Sequence, residues 1–298
     1  MIKRTLYFGN QAYLSLKDNQ LVIKKRDDEI ITAAIEDIAY IILDSPQITV
    51  TNALLGALLE NNCAIINCDK THLPSGLLLP LSGNTLQSER FQAPIEASLP
   101  LKKQLWQQTV QQKIMNQAAI LKAARKAEIG NMTTWANSVR SGDVDNREAV
   151  AAAYYWKEMF PNIPDFVRDR NGVPPNNMLN YGYAILRGVV ARALVSSGLL
   201  PTFGIHHHNR YNAYCLADDI MEPYRPIVDK LIIDILAEIK EYPKDLSTDI
   251  KAKILQIPVL DCFINGERSP LMNAVATTTA SLAKCYMGVT KKLIYPEV

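Results

Sequence analysis

The sequence contains little of what marks secreted and membrane proteins. Its five cysteines form no Cys-x-x-Cys pair, which argues against a disulfide framework or a cysteine-ligated zinc site and indicates a reducing compartment. No apolar run reaches the roughly 18 to 20 residues of a membrane span, because Arg187 and Arg192 interrupt the most apolar segment, 185–200. The first residues alternate in polarity and lack the apolar core of a signal peptide, so we expect a cytoplasmic protein without a membrane partner.

The chain also lacks a large excess of charge of either sign. Its formal net charge is +2 at pH 7, which by itself does not indicate nucleic-acid binding. Up to Arg90, 8 Lys and Arg stand against 10 Asp and Glu, a net charge of −2, and the remaining 24 against 20 give +4. A phosphate-binding surface is therefore expected after residue 90, as a local patch.

The first 80 residues consist of short apolar runs separated by polar turns, a pattern typical of strands. The predicted strands are 4–8, 12–16, 20–25, 30–35, 38–43, 64–68 and 76–79. One amphipathic helix is predicted at 51–61, where Leu54, Leu55, Leu58 and Leu59 form a single apolar stripe. Apolar residues make up 48% of the chain, enough for more than one small domain.

From residue 101 the spacing of apolar residues becomes helical. A long amphipathic helix is predicted there. Its apolar side carries Leu105, Val110, Ile114, Ala118 and Leu121, and its other side carries Lys102, Lys103, Lys113 and Lys122. Further helices are predicted at 147–160, 176–199, 219–241 and 270–295. The predicted fold class is α+β: a small N-terminal β domain (1–80), a linker (81–100) and a larger all-α C-terminal catalytic domain (101–298).

Three of the four histidines are adjacent, at His206, His207 and His208, and an acidic segment follows them. Imidazole and carboxylate groups together can hold a divalent cation, which is the usual device for neutralising charge on a phosphoryl oxygen. The spacing of three between Asp219 and Glu222 predicts that both carboxylates lie on one face of a helix's first turn. This part of the sequence therefore indicates half of a metal site.

Ordinary structural roles remain open for the same residues. The histidines could form a polar loop with one structural imidazole, and Asp218 could cap a helix. Glu148 could interact with the dipole of its helix, or it could point into an interface, because the small residues after it allow close approach of a neighbour. Arg225 could face a phosphate or pair with Glu222.

Taken together, these segments resemble a known family, the metal-dependent DNA integrase and endonuclease that is the larger subunit of the CRISPR spacer-acquisition complex. The resemblance is carried, in chain order, by Asn146-Arg147-Glu148-x-x-Ala151-Ala152, Asn176-x-x-Leu179-Asn180-Tyr181-Gly182-Tyr183, Gly204-x-x-His207 and Leu216-Ala217-x-Asp219-Ile220-Met221-Glu222-Pro223-Tyr224-Arg225-Pro226. It covers most of the chain, including the order of β and α regions. The spacing between His207 and Glu222 is most similar to members that accompany type II systems, which use a single effector nuclease.

The resemblance implies a divalent cation, Mg²⁺ or Mn²⁺, as cofactor. The site residues that it implies are Glu148, His207 and Glu222 as catalytic metal ligands, Asp219 as a further metal-binding residue, and Asn176, Asn180 and Tyr183 as supporting residues. Basic residues of the helical region are candidates for contacts with DNA phosphates. They are Lys113, Arg147, Arg187, Arg192 and Arg225.

The register of the histidine run depends on its spacing from Gly204. In the family pattern the third position after Gly204 selects His207, and a shift of one residue to His206 or His208 stays open. Neighbouring side chains in an extended segment diverge by about half a turn per residue. We therefore expect His206 and His208 to point away from whatever His207 faces.

The reaction implied by the resemblance is transesterification, in which the 3′ hydroxyl of a captured DNA fragment attacks a phosphodiester at the edge of a CRISPR repeat. The implied partners are double-stranded DNA, a second copy of the chain, a small second adaptation subunit and, for type II systems, the RNA-guided effector nuclease. Two other functions stay open: a non-catalytic DNA-binding scaffold of the same fold, and a metal phosphoesterase that acts on small esters.

Overall fold

The computed structural model describes residues 3–27, 29–81 and 87–298. Strands dominate its N-terminal part and helices its C-terminal part, so the predicted α+β class is confirmed. The strands of the N-terminal part are β1 Arg4–Phe8, β2 Ala12–Lys17, β3 Gln20–Lys25, β4 Ile30–Ala34, β5 Ile38–Leu43, β6 Ile48–Val50, β7 Ala64–Cys68 and β8 Pro74–Leu78. The placement of the domain boundary at residue 80 stays a prediction.

These strands form two four-stranded sheets with the orders β1-β5-β7-β8 and β4-β3-β2-β6. Strands β1, β5 and β7 run parallel, which is the arrangement that requires cover on both faces of a sheet. Ile41 and Ile65 belong to the core shared with the second sheet and with helix α1, Asn52–Glu60. Tyr40 and Ile66 belong instead to the core of the helical part. The first sheet therefore lies between two hydrophobic cores.

A buried ion pair also joins the first sheet to the helical part. Lys251 donates from Nζ to Oδ2 of Asp44 at 2.8 Å, and Tyr7 donates its hydroxyl to the same oxygen at 2.5 Å. Burial alone would raise the pKa of Asp44, but the hydrogen bonds from Lys251, Tyr7 and His72 outweigh it and lower that pKa. The charged pair is thus stabilised by several donors at once.

The helical part holds most of the remaining elements. Its helices are α2 Gln87–Glu96, α3 Leu99–Arg125, α4 Gly130–Asn137, α5 Arg147–Met159, α6 Asn176–Ser196, α7 Cys215–Met221, α8 Arg225–Ile239, α9 Thr248–Ile254 and α10 Leu271–Tyr286. The long helix that was predicted from residue 101 starts at Leu99, where Ser98 caps it by accepting from Leu101 N. No helix among the described residues is long and apolar enough to cross a membrane.

The segment predicted as a linker, 81–100, contains a helix. Residues 82–86 lie outside the described residues, but α2 occupies ten of the remaining positions. Arg90 of this helix donates from Nη1 to the backbone oxygen of Ser197 at 2.6 Å. This hydrogen bond joins two residues that are 107 positions apart in the chain. It stabilises the helix, but it produces no local periodicity of apolar residues in the sequence.

The prediction of an all-α C-terminal part is wrong in part. A hairpin of β9 Asp261–Ile264 and β10 Glu267–Pro270 precedes α10. Its two turn residues, Asn265 and Gly266, have positive φ angles of 53° and 78°, as a two-residue turn between antiparallel strands requires. The Asn-Gly pair was therefore a usable signal for this hairpin.

Helix α6 runs through the centre of the helical part, and two glycines let its neighbours approach closely. A Cβ atom on Gly182 would lie 2.7 Å from Val228 Cγ1 of α8, and one on Gly188 would lie 2.9 Å from Ile66 Cδ1 of the first sheet. Helix α6 thereby holds both the sheet and α8 in place. The segments that carry the candidate site are attached to this framework.

Candidate active site

Glu148 lies in the first turn of α5, where a side chain from the preceding loop fixes the helix start. Asp143 accepts from the backbone nitrogens of Arg147, at 2.8 Å, and of Glu148, at 3.0 Å. Asn146, which directly precedes the helix, makes no side-chain capping bond. Asp143 thus satisfies two free N–H groups of the helix terminus and orients the turn that carries Glu148. This role of Asp143 was not predicted from the sequence.

Glu222 lies at the junction of α7 and α8, in a short 3-10 segment, Glu222–Tyr224. Pro223 interrupts the helix there, and its backbone oxygen accepts from Asn116 Nδ2 of α3 at 2.7 Å. The prediction that Asp219 and Glu222 share the first turn of one helix is wrong, because α7 already begins at Cys215. The carboxylate of Glu222 is 4% exposed and faces α3.

Asp219 is fully buried and holds the histidine loop against α7. It accepts from the backbone nitrogens of Ile205, His206 and His207 at 2.6, 2.9 and 3.3 Å, and from His207 Nδ1 at 2.5 Å. A carboxylate has four lone-pair positions, and these four donors fill them. Asp219 therefore orients His207, and we do not retain it as a metal ligand.

Gly204 makes this close loop possible. A Cβ atom at Gly204 would lie 2.2 Å from the backbone oxygen of His207 and 2.9 Å from Asp219 Oδ2. The first of these atoms belongs to the backbone, so it cannot move aside without opening the loop. The spacing Gly204-x-x-His207 in the sequence thus reflects a steric requirement.

The three adjacent histidines have different surroundings. Among the described residues only His207 bonds to Asp219 through its ring. The ring of His206 stacks on Trp106 of α3, with centroids 4.3 Å apart, and the ring of His207 meets Trp106 edge-on at 5.7 Å. The expectation that His206 points away from whatever His207 faces is therefore wrong for Trp106, because this tryptophan packs against both rings. His208 is exposed and lines a cavity of about 360 Å³ together with His207.

Lys113 of α3 lies between the two glutamates. Its Nζ is 2.6 Å from Glu148 Oε1 and 2.5 Å from Glu222 Oε2. The residue is 8% exposed, so the prediction that Lys113 contacts DNA phosphates is not supported by its position. Arg225 adds a second cation, with Nη2 3.0 Å from Glu222 Oε1.

These neighbours shift the pKa values of the site in definite directions. Burial alone would raise the pKa of Glu222, but Arg225 and Lys113 outweigh it and lower that pKa. The hydrogen bond to Asp219 raises the pKa of His207 above 6.5, against the effect of burial, and the charges of Glu222 and Glu148 contribute in the same direction. His207 is thus close enough to both glutamates to sense their charges.

A divalent cation fits the chemistry of this donor set. Glu222 Oε2 accepts no hydrogen bond from the described residues; its contact with Lys113 is an ion pair without hydrogen-bond geometry. Since Nδ1 of His207 bonds to Asp219, the lone pair for an ion is on Nε2. Within the described ranges, no three His, Cys, Asp or Glu side chains lie close enough together to hold an ion, and Lys113 contacts both glutamates.

The three supporting residues of α6 act through the loop before that helix. Asn176 accepts from Arg168 Nη1 and from Asp169 N, at 2.9 and 3.0 Å. Asn180 accepts from Arg168 Nη2 at 2.6 Å. The guanidinium groups of Arg168 and Arg225 lie over the ring of Tyr183, with their Cζ atoms 5.0 and 4.8 Å from its centroid. These residues position two arginines, of which Arg168 was missed in the sequence.

Four arginines line a groove of about 640 Å³ beside Glu222. They are Arg168, Arg170, Arg187 and Arg225, and Asn180 and Tyr183 lie in the same wall. Arg187 is 42% exposed and donates to Asp218 at 2.7 and 3.2 Å, so Asp218 pairs with it instead of capping a helix. The groove is therefore rich in arginine, and Asp69 of the N-terminal part also lines it.

The other two predicted DNA contacts have different positions. Arg192 donates from Nε to the backbone oxygen of Asn62 at 2.5 Å and lies on the ring of Tyr40 at 5.3 Å. It therefore links α6 to the first sheet and does not face the groove. Arg147 is half-buried, and its Nε has no hydrogen-bond partner among the described residues.

Solved structures share this architecture. A casposase bound to integration product has a TM-score of 0.81 at 21% identity, with 98% of this chain and 92% of that chain covered. A chain of a Cas6-RT-Cas1–Cas2 complex has a TM-score of 0.76 at 20% identity, with 99% of this chain and 36% of that chain covered. The fold class is therefore the one found in casposases and in Cas1 proteins.

Sequence comparison identifies the family within this class. The family model described as CRISPR associated protein Cas1 matches residues 6–265. The CRISPR-associated endonuclease Cas1 of Neisseria meningitidis serogroup C (strain 8013) is 37% identical over 303 residues, covering 100% of this chain and 97% of that protein. The chain belongs to the Cas1 family, as its motifs predicted.

Proposed function

We propose that this chain is the metal-dependent DNA integrase and endonuclease that inserts captured DNA fragments as new spacers into a CRISPR array. In this transesterification the 3′ hydroxyl of the fragment loses its proton, and its oxygen forms a bond to a phosphorus at the edge of a repeat. The bond from that phosphorus to the repeat's own 3′ oxygen breaks, and the released oxygen takes up a proton. Membership of the Cas1 family supports the enzyme class.

One observation carries the proposal for the site. Glu148, His207 and Glu222 come from three separate segments of the chain, yet they converge beside one face of α3. Lys113 of that helix contacts both glutamates, and Trp106, seven residues earlier on the same helix, meets the ring of His207 edge-on at 5.7 Å. Two carboxylates and one imidazole in such a cluster are a donor set for a divalent cation.

When bound, Mg²⁺ or Mn²⁺ would neutralise the charge that develops on the phosphoryl and leaving oxygens. Glu148 and Glu222 would hold it through carboxylate oxygens, and His207 through Nε2. Asp219 keeps His207 in the tautomer that leaves this nitrogen free, and Gly204 lets the loop close over Asp219. An imidazole among the ligands suits Mn²⁺ at least as well as Mg²⁺.

The arginine groove is the proposed contact for DNA phosphates. Arg168, Arg170, Arg187 and Arg225 line it, and Glu222 is paired with the last of these. A strand that runs along the groove would therefore reach the carboxylate cluster. Arginine side chains bind phosphates without reading base sequence, which suits fragments of arbitrary sequence.

The proposed assembly is a homodimer with a small second subunit and, in a type II system, the RNA-guided effector nuclease. The Cas1–Cas2 complex that shares this fold supports a second subunit of the Cas2 kind. Strand β4 is an edge strand and exposes Ile30 and Ile31 by 63% and 38%, which supports an interface with another chain. Five free cysteines suit the reducing cytoplasm, where we propose that the protein acts.

Strand transfer by Glu148→Gln and Glu222→Gln variants tests the proposal. Glutamine keeps the size of each side chain but removes its charge, so both variants should lose integration into a supercoiled repeat plasmid with Mn²⁺ present. Exposed Glu241 provides the control, and Glu241→Gln should integrate as the wild type does. Melting temperatures of all four proteins show whether the fold is retained. Normal integration by either site variant would contradict the assignment of ligands.

The same assay separates the two other functions. A non-catalytic scaffold would bind the fragment and the plasmid without joining them. A phosphoesterase would release phosphate from small esters but would leave the plasmid unchanged. Only joined products in the presence of a divalent cation agree with an integrase.

A further inference from the structure

Lys113 is a buried cation in the candidate site, and the proposed function gives it no role. It lies on α3, is 8% exposed, and has its Nζ 2.6 Å from Glu148 and 2.5 Å from Glu222. An exposed lysine that binds DNA would extend into solvent. Lys113 instead engages the two carboxylates that are the proposed ligands.

The charges of this cluster explain why a lysine is there. Glu222 is 3% exposed, so its ionised carboxylate needs a neighbouring cation to replace the water that it has lost. Of the two glutamates, Arg225 pairs with Glu222, whereas Lys113 bridges Glu222 and Glu148. Without Lys113, the two carboxylates would repel each other, and Arg225 would balance the charge of Glu222 alone.

A divalent cation bound by Glu148 and Glu222 would lie beside the oxygens that Lys113 now contacts, because Arg225 already engages the other oxygen of Glu222. Two cations cannot share these oxygens without strong repulsion, since the interaction of charges at this separation is large in a partly buried site. The lysine side chain can swing away because it is a single charge on a flexible four-carbon stem.

A second observation concerns where the ammonium group would go. Gln117 is four residues after Lys113 on α3, so the two side chains emerge on the same face of the helix. Gln117 is 3% exposed, and its Oε1 is buried without a hydrogen-bond partner among the described residues. A buried acceptor next to a lysine provides a second position for the ammonium group.

We propose that Lys113 is an exchangeable counter-ion of the metal site. Its ammonium group neutralises Glu148 and Glu222 in the metal-free protein, and it moves to Gln117 Oε1 when a divalent cation takes the carboxylates. This inference rests on the proposed function, because it takes the two glutamates as the ligands. Lys113 is in this sense a positioning residue that keeps the site folded before the ion binds.

Mn²⁺ binding by the full chain tests the inference independently of activity. Free Mn²⁺ is measured by electron paramagnetic resonance during titration of the wild type, Lys113→Met and Lys122→Met. Methionine preserves much of the stem's volume without its charge, and Lys122 is an exposed lysine on the same helix that serves as the control. Lys113→Met should bind Mn²⁺ about tenfold more tightly or better, and it should melt at a lower temperature than the wild type without metal. Lys122→Met should match the wild type in both.

Unchanged or weaker Mn²⁺ binding by Lys113→Met would overturn the inference, because a competing cation must lower affinity. If that variant does not fold, Lys113→Gln replaces it with the same expected direction. Glu222→Gln distinguishes the two proposals. If it loses Mn²⁺ binding while Lys113→Met gains none, only the counter-ion inference fails. If it binds as tightly as the wild type, the ligand assignment fails, and the inference fails with it.

Discussion

His207 Nδ1 lies 2.5 Å from Asp219 Oδ1, and this contact makes Asp219 the residue that orients the proposed catalytic imidazole. Three backbone N–H groups of the same loop also bond to Asp219. The loop, its histidine and helix α7 are thus held together by a single buried carboxylate. Several consequences of this arrangement can be measured.

The first prediction concerns pH. The hydrogen bond to Asp219 raises the pKa of His207 above 6.5, so the imidazole keeps its proton to a higher pH than a free histidine. The ion pair of His207 and Asp219 therefore stabilises the fold fully below about pH 6.5. This stabilisation is lost as pH rises through the raised pKa of His207. Since a metal ligand must be neutral, Mn²⁺ affinity should decline as pH is lowered, with a midpoint above 6.5. Calorimetric titration with Mn²⁺ at a series of pH values measures this midpoint, and a midpoint at or below 6.5 would contradict the prediction.

The second prediction concerns the histidine run. His207→Ala should lose strand transfer by more than about 100-fold, since changes even to residues behind a metal ligand cost about 10- to 100-fold. His208→Ala should keep nearly full activity, because His208 is exposed. His206→Ala should show a smaller loss, because it removes the stacking on Trp106 that supports the loop. The three variants are assayed side by side on a supercoiled repeat plasmid. If His206 or His208 is the indispensable residue, the assignment is off by one position.

The third prediction concerns Gly204. A methyl group there would meet the backbone oxygen of His207 at 2.2 Å, so Gly204→Ala should lower stability by about 1–3 kcal/mol or more. It should also reduce strand transfer, because the loop must open. Gly56→Ala is the matched control: no atom lies within 4 Å of the added carbon, and alanine in the middle of α1 should raise stability slightly. Urea unfolding of both variants measures the change. Equal stability of the two would refute the steric argument.

The fourth prediction concerns Asp229, which Tyr155 and Tyr183 contact with their hydroxyls at 3.0 and 2.5 Å. Burial raises the pKa of Asp229 from 3.8 to about 7, although both tyrosines oppose this. The folded protein holds this proton more tightly than the unfolded chain does, so protonation of Asp229 stabilises the fold. This contribution is full below about pH 3.8 and is lost as pH rises through about 7. Asp229→Asn should remove that dependence.

Melting temperatures between about pH 4 and pH 8 test this for the wild type, Asp229→Asn and the control Asp234→Asn. Asp234 lies on the same helix, and its side chain is 55% exposed. The wild type should lose stability relative to Asp229→Asn as pH rises, and Asp234→Asn should match the wild type. Parallel curves for all three proteins would show that Asp229 titrates normally.

Most elements could be predicted because their apolar residues repeat with a local period. The strands of the first sheet and the helix Arg147–Met159 begin within a residue or two of their predicted positions. Strand β6, helices α2, α4 and α9 and the hairpin before α10 were not predicted. Helix α2 is stabilised by a distant contact of Arg90, and the hairpin depends on a turn at Asn265 and Gly266 that local periodicity does not register.

For the site, the sequence by itself determined which residue types stand at which spacing. This was enough for the family and for Glu148, His207 and Glu222 as candidates, because those spacings are local. Tertiary structure decided the partners of each charge. It made Asp219 an acceptor for the loop and placed Lys113 between two glutamates that are 74 positions apart in the chain. Ion pairs of this kind form only when separate helices pack together, so no local pattern of residues can specify them.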